Sequence, residues 1–392
     1  MAAAVEGVIR VEEVAGRGRA LVATQPLRAG EIVLRESPIL VYSALPLIKP
    51  QQHQNSSYYC DYCFRTLSSA SSVFSCPCCS ALHFCSQRCL SVAQSSSHSP
   101  WVCQALCRLR DSLSLQPPER QVQAQFLVAA YNIALVSPAH FQILLSLQGR
   151  VFDCDAGDAQ FLHSLICSVC PPTQLPGVSL ELSAALLAKD KLNAFCLMEP
   201  LIQKNGQRSV RAYAIYPTAS FFNHDCLPNA CRFDYIDSAS DANNTDMIIR
   251  MIHDVPQGRE ICLSYFPVNM NYSSRQKRLL EDYGFSCDCD RCKVEATWSD
   301  NEDDAGEDGE DEEVMEEDQD EEMDAEETSG AEHENGASDS DFPHAYFFLR
   351  YMCNEENCGG TLAPLPPSGS STSNVLECNV CGNLKKDEVI NQ

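Results

Sequence analysis

Apolar residues along this chain follow two different periods, and the period changes twice. Val8-Ile9-Arg10-Val11 and Glu31-Ile32-Val33-Leu34 are short β-branched runs separated by glycine-containing turns, which predicts strands. From 118 to 200 the period lengthens to that of amphipathic helices, clearest over 119–136 and 180–195. Strand-like runs return over 208–268, in Ala212-Tyr213-Ala214-Ile215-Tyr216 and Met247-Ile248-Ile249-Arg250-Met251-Ile252. Residues 59–107 interrupt this pattern: they are rich in Cys and Ser and too poor in large apolar side chains to hold a core without metal. Residues 300–341 show no apolar period, and 342–392 form a small Cys-bearing tail. The expected division is 1–58, 59–107, 108–275, 276–293, a linker at 300–341, and 342–392, with no internal repeat. No run of eighteen apolar residues occurs, so no transmembrane helix and no membrane partner are expected.

Charge sharpens the linker. The chain carries 54 acids against 28 bases, a net charge of −26. Residues 300–341 hold 23 of those acids and no Lys or Arg, leaving 31 acids against 28 bases elsewhere. The rest is close to neutral, and 300–341 reads as a disordered acidic linker by composition. Met1-Ala-Ala-Ala-Val-Glu6 places an acid where a signal peptide needs a basic flank and a long apolar core. A protein that is not secreted, in the nucleus or cytoplasm, is therefore expected. Such compartments keep thiols reduced, so 23 cysteines, many in C-x2-C pairs, favour zinc over disulfides.

The first cysteine cluster runs Cys60-x2-Cys63, Cys76-x2-Cys79, Cys85-x3-Cys89 and His98-x4-Cys103. Zinc takes four soft or borderline ligands in a tetrahedron, and a C-x2-C turn supplies two at the right separation. Eight ligands make two sites, the first and third pairs sharing one zinc and the second pair sharing the other with His98 and Cys103. Cys78 competes with Cys79, and Cys107 with Cys103. This cluster resembles the MYND finger. Cys287-x-Cys289-x2-Cys292 is one thiolate short of a closed site, and Cys226 is the candidate fourth. Cys353-x4-Cys358 with Cys378-x2-Cys381 is a four-cysteine, ribbon-like set. Between 60 and 110 the bases are Arg65, Arg88, Arg108 and Arg110, without Lys, a thin footprint for phosphates; direct DNA binding is not expected.

Three further segments carry chemistry: Gly16-Arg17-Gly18, Asn223-His224-Asp225-Cys226-Leu227-Pro228-Asn229, and Glu260-Ile261-Cys262-Leu263-Ser264-Tyr265, read as a strand ending in an exposed tyrosine. A Gly-x-Gly turn alone is commonplace. In this order, followed by Cys287-x-Cys289-x2-Cys292, the segments together resemble the SET domain. With the finger inserted between the first and second, the chain resembles the SET- and MYND-domain protein-lysine methyltransferases over residues 5–293, and its tail resembles that of a plant branch of them.

That resemblance implies a mostly β SET fold of small, pseudoknotted sheets with a helical insert, a zinc-bound MYND finger, a post-SET zinc knuckle and the C-terminal ribbon-like module. It implies S-adenosylmethionine as cofactor, with Gly16, Arg17, Gly18, Asn193, Asn223, His224, Tyr265 and Phe285 around it. The Gly-x-Gly turn would let backbone approach the cofactor where a side chain would collide. Tyr265 would be the catalytic tyrosine, Tyr283 would line the target-lysine channel with Phe285, and Cys226 would complete the knuckle. The expected partner is a protein substrate with a target lysine, histone or not, with a chromatin role. The alternative is a non-catalytic adaptor whose MYND finger binds proline-containing peptides. Relatives ending in a long helical domain cover the substrate groove with it; here the acidic linker and about fifty residues stand in its place, so the groove must be walled differently. Arg275-Gln276-Lys277-Arg278 reads as a solvated helix face.

Overall fold

The computed structural model describes residues 7–47, 58–67, 73–149, 155–173, 177–199, 208–237, 244–297, 347–356, 358–369 and 372–387. The acidic linker expected at 300–341 lies outside these residues. Strands β1 (Ile9–Val14), β2 (Gly18–Ala23), β3 (Ile32–Glu36) and β4 (Leu40–Ser43) open the chain. The Cys-rich segment follows, with β5 (Tyr58–Tyr59), β6 (Thr66–Leu67), β7 (Phe74–Ser75), β8 (His83–Phe84) and helix α1 (Gln87–Ser95). A helical block comprises α2 (Pro100–Ser112), α3 (Pro118–Val136), α4 (Pro138–Ser146), α5 (Ala156–Val169) and α6 (Leu180–Asn193). Strands resume with β9 (Ala194–Met198), β10 (Val210–Ile215), β11 (Asn223–His224), β12 (Ala230–Phe233), β13 (Met247–Met251) and β14 (Cys262–Leu263). Helices α7 (Tyr272–Arg278) and α8 (Asp290–Glu295) follow, then β15 (Leu362–Pro364), β16 (Val375–Cys378) and β17 (Leu384–Lys386).

Sheet pairing shows which parts are insertions. β4 pairs with β10, which pairs with β9, and β3 pairs with β13 beside β12. Strands from before the finger and helices thus complete sheets made by strands after them. The sheet core buries Leu21, Val33, Leu34, Tyr216, Ile249 and Ile261, and a second core of Leu109, Phe126, Leu127, Tyr131, Leu162 and Ile166 holds the helical block. Several helix starts carry the capping chemistry their sequence suggests: Ser86, Ser99 and Ser179 each accept a backbone N–H of the first turn of α1, α2 and α6.

Two expectations are corrected. The described residues contain more helix than strand, so "mostly β" holds for the sheet core and not for the chain; the insert contributes five helices. The helix expected over 180–195 stops at Asn193, and Phe195 lies in β9. Asn193 turns its amide back to the Lys189 carbonyl, and Ala194 is already extended.

Candidate active site and metal centres

The hairpin joining β1 to β2 turns through Gly16-Arg17-Gly18, with φ of +77° at Gly16 and +72° at Gly18. A Cβ at either glycine would meet no atom within 4 Å. The left-handed backbone at both positions favours glycine by itself, and the space beside them is free of protein atoms. Arg17 leaves this turn toward the sheet core. Its Nε pairs with Glu260 Oε2 at 3.0 Å, and Nη2 donates to the His224 carbonyl at 2.8 Å. Arg19 ties the other side of the turn to the Ser146 carbonyl at 3.0 Å. Close by, the Asn193 amide donates to the carbonyls of Gln148 and Lys189 at 2.8 and 2.7 Å.

β11 and β14 run parallel, pairing Asn223 with Cys262 and His224 with Leu263. Asn229 locks the crossing: its Nδ2 donates to the Glu260 carbonyl and its Oδ1 accepts from Cys262 N–H, both at 2.8 Å. Asn223 Nδ2 donates to Glu260 Oε1 at 2.8 Å, so Glu260 gathers both Arg17 and Asn223. Its carboxylate has this role on geometry alone; sequence reading named Glu260 only as the start of a motif. His224 Nδ1 accepts the Tyr265 N–H at 3.1 Å, and its ring stands 5.2 Å from Tyr265, 4.7 Å from Phe266 and 6.4 Å from Phe285.

Tyr265 is half-buried rather than exposed, and regular strand covers only Cys262–Leu263. The chain turns after Leu263, where Ser264 Oγ donates to Phe266 O at 2.7 Å. The Tyr265 hydroxyl donates to the Phe222 carbonyl at 2.9 Å, and Tyr283 lies 4.8 Å away, centroid to centroid. Burial, then the neighbouring Tyr283, pushes the Tyr265 phenol above its usual range, so it stays a protonated donor. Tyr283 in turn stands 6.4 Å from Phe285. The turn at Gly16–Gly18, Asn223, His224, Tyr265, Tyr283 and Phe285 thus join one connected set of contacts, and the Asn193 side chain bonds outside it, to Gln148 and Lys189. Beside the Arg17–Glu260 pair opens a cavity of about 510 Å3, lined also by Asp225, Asn229, Cys262, Tyr351 and Thr361. It lies apart from the aromatic cluster, whose His224, Tyr265, Tyr283 and Phe285 do not line it.

Four groups of four ligands converge, their atoms within 4.8 Å of one another: Cys60, Cys63, Cys85, Cys89; Cys76, Cys79, His98, Cys103; Cys226, Cys287, Cys289, Cys292; and Cys353, Cys358, Cys378, Cys381. These are the sets expected from spacing, with Cys78 exposed and both Cys78 and Cys107 outside them. Zinc–sulfur bonds of about 2.3 Å imply tetrahedron edges of about 3.8 Å. Sulfur separations of 3.5 Å for Cys85–Cys89 and Cys226–Cys292, 3.6 Å for Cys353–Cys381 and 4.0 Å for Cys76–Cys103 bracket that edge. They are too long for disulfides. His98 Nε2 lies 3.7 Å from Cys79 Sγ while its buried Nδ1 has no hydrogen-bond partner. The donor chemistry and spacing fit zinc.

Around the third group the structure corrects a reading. Arg275, expected on a solvated face, is fully buried. Its Nε lies 3.3 Å from Cys226 Sγ, Nη1 donates to Met270 O at 2.7 Å, and Nη2 pairs with Glu295 at 2.6 Å. Arg291 shares Glu295 and donates to Val268 O at 2.7 Å. Two guanidinium groups against four potential thiolates offset negative charge that burial would otherwise make costly. A four-residue basic run reads as surface in sequence because nothing in it shows that one of its members points inward.

Small sheets joined by a parallel two-strand crossing, with a half-buried tyrosine beyond that crossing and a glycine hairpin tied across it, define a protein of the SET class. The SET domain family model matches residues 18–266. Over 99% of this chain and 98% of the relative, the chain is 59% identical to histone-lysine N-methyltransferase ASHR2 of Arabidopsis thaliana. It is 26% identical to histone-lysine N-methyltransferase SMYD3 of Mus musculus over 72% of this chain and 60% of that relative, and 23% identical to ASHR1 of Arabidopsis thaliana over 70% of this chain and 53% of that relative. The chain belongs to the SET-domain family.

Proposed function

We propose that the chain is an S-adenosylmethionine-dependent protein-lysine N-methyltransferase acting on histones. The observation that carries this is the parallel pairing of Asn223-His224 with Cys262-Leu263, which brings Tyr265, its hydroxyl bonded to Phe222 O, into contact with His224 and Tyr283. Near-complete identity of extent with a histone-lysine methyltransferase supports the substrate class.

When bound, S-adenosylmethionine supplies an electrophilic methyl group on a cationic sulfur. The Gly16-Arg17-Gly18 turn, Asn193, Asn223, His224 and Phe285 would hold it. Both amide hydrogens of Asn193 are already used on backbone carbonyls, which leaves its Oδ1 as the atom offered. A free lysine amine has a pKa of about 10.4, so about one in a thousand is neutral near physiological pH, a cost of about 4 kcal/mol. The half-buried rings of Tyr265 and Tyr283, with bound substrate and cofactor against the exposed Phe285, would disfavour the ammonium. Tyr265, a protonated donor fixed by Phe222 O and His224, would orient the amine for in-line transfer. No strong base is needed at the transfer itself.

The finer assignments extend this reading. The two clusters within 60–103 would form a MYND zinc finger able to take a proline-containing peptide, and Cys226 with Cys287, Cys289 and Cys292 a post-SET zinc knuckle. The division at 58, 107, 275 and 293 is part of this reading; the pairing of β3 and β4 with later strands supports an insert after β4, while the boundaries at 107 and 275 fall inside α2 and α7. A histone substrate implies a chromatin role and action in the nucleus. The adaptor alternative requires no aromatic cluster around a bonded tyrosine, and it is not favoured. Incubation of the purified protein with labelled S-adenosylmethionine and core histones, alongside a total soluble extract, tests the function. Label on histone lysines is expected; label on neither overturns it.

A further inference from the structure

β9 is the edge of its three-stranded sheet: it pairs with β10 on one side only. It begins immediately after Asn193 and carries Phe195, whose ring meets Tyr216 edge-on at 5.6 Å. Among the described residues no second strand pairs with this edge, so it is held by what reaches it from elsewhere. Two attachments do so. Arg232 of β12 donates through Nη2 to the Cys196 carbonyl at 2.8 Å, and its guanidinium carbon lies 5.6 Å from the Phe195 ring centroid. At the far end, Arg208 donates to the Glu199 carbonyl at 2.7 Å, and the finger's Tyr59 hydroxyl bonds the Glu199 carboxylate. Arg232 is itself fixed by Asp234, at 2.8 Å from Nε. Its backbone carbonyl accepts from Asn379 Nδ2 at 2.9 Å. Asn379 belongs to the C-terminal four-cysteine module, one residue after Cys378.

That module is seated firmly. Arg250 of β13, buried, pairs with Glu377 at 2.9 Å and lies 3.6 Å from the Phe233 ring centroid. Cys231, Phe233, Ile248 and Ile252 of the sheet core pack with Tyr351 and Ala363 of the module. A Cβ on Gly30 would come within 2.4 Å of the Leu365 carbonyl, so the two backbones are in direct contact. Gly359 packs on Pro267 and Asn269, in the turn that follows Tyr265. The module therefore meets two segments next to the candidate site: Pro267 and Asn269 after Tyr265, and the Arg232 backbone, whose side chain reaches β9.

We propose that this C-terminal module is a positioning element for the protein substrate: through Asn379, Arg232 and Cys196 it sets β9 at the lysine channel, and Asn379 and Arg232 are positioning residues for the methyl acceptor. The inference rests on the proposed lysine methyltransferase function. Asn379→Asp breaks the link, because the donation to Arg232 is replaced by two facing acceptor oxygens while Oδ1 can still accept from Thr361 N–H. A hydrogen bond of this kind changes an equilibrium by about fivefold. For N379D in the full chain, KM for core histones should rise about fivefold, while affinity for S-adenosylhomocysteine by calorimetry stays within twofold. Hydrogen exchange at residues 194–198 should quicken by a similar factor. Arg232→Lys should show the same signature, and the double variant should be no worse than the poorer single. Unchanged β9 exchange and unchanged KM in a wild-type background that methylates histones overturns the proposal. So does an equal loss of cofactor affinity, which would mark general loosening. Faster β9 exchange in N379D when the wild type labels no protein would support the mechanical link and overturn the proposed function instead.

Discussion

At the scale of single residues, the chemistry rests on Tyr265. On the proposed function its hydroxyl would act on geometry in the transition state, so Tyr265→Phe should lower methyl transfer by about a hundredfold while leaving S-adenosylhomocysteine affinity nearly unchanged. Asn223→Ala, by contrast, should weaken that affinity, because it removes the amide that Glu260 holds in the cleft; calorimetry on both variants separates the roles. Asp190 offers a test of electrostatics away from the reaction. Tyr42 donates to its carboxylate at 2.6 Å, yet burial pushes the carboxyl from 3.8 up to about 7. A carboxyl with a raised folded pKa contributes stability that is complete below its unfolded value and is lost as pH rises through the folded one. Melting temperature of the wild type should therefore fall between pH 4 and 7 relative to Asp190→Asn, and parallel curves would remove the assignment. Tyr265, Asn223 and His224 could be singled out in sequence because two short motifs, 223–229 and 260–265, carry them. Glu260 and Arg275 were not, because their roles depend on which way a side chain points after folding.

At the scale of elements, metal closes the parts that apolar burial cannot. The finger core consists largely of its own cysteines with Phe84, Leu90 and Ala93, too little to order a chain segment alone. Four zinc ions per chain are expected, and elemental analysis of the purified protein counts them. Cys226→Ser should bring the count to about three and also abolish transfer, since Cys226 sits two residues from His224. Arg275→Met should leave the four cysteines in place but speed zinc loss to a chelator, as the guanidinium beside Cys226 Sγ and Glu295 is removed; a release rate equal to wild type would deny Arg275 that role. Ligand sets were readable from C-x2-C spacing because two ligands per turn is a local constraint. The end of α6 was not: residues 180–195 keep helical periodicity past the point where Asn193 bonds back to the helix and β10 captures Phe195 as its partner.

For the whole molecule, the acidic segment at 300–341 is the remaining feature of sequence, and its 23 acids concentrate charge that would attract basic proteins such as histone tails. Exposed charges are screened within about 8 Å at physiological salt. Deleting 300–341 should leave turnover on a short neutral peptide unchanged, weaken apparent affinity for a strongly basic substrate at low salt, and lose that difference as salt rises. Equal affinities of both chains at low salt would reduce the segment to a tether.

By itself the sequence determined the class of chemistry: motif order, cysteine spacing and the location of excess charge are local properties, written in adjacent residues. The parallel strand crossing, the burial of Arg275 and the seating of the C-terminal module against β13 were decided only in three dimensions. Each joins residues far apart in the chain, from Asn223 with Cys262 to Arg250 with Glu377. Their partners are selected by packing and desolvation over the whole fold, and no local pattern records that selection.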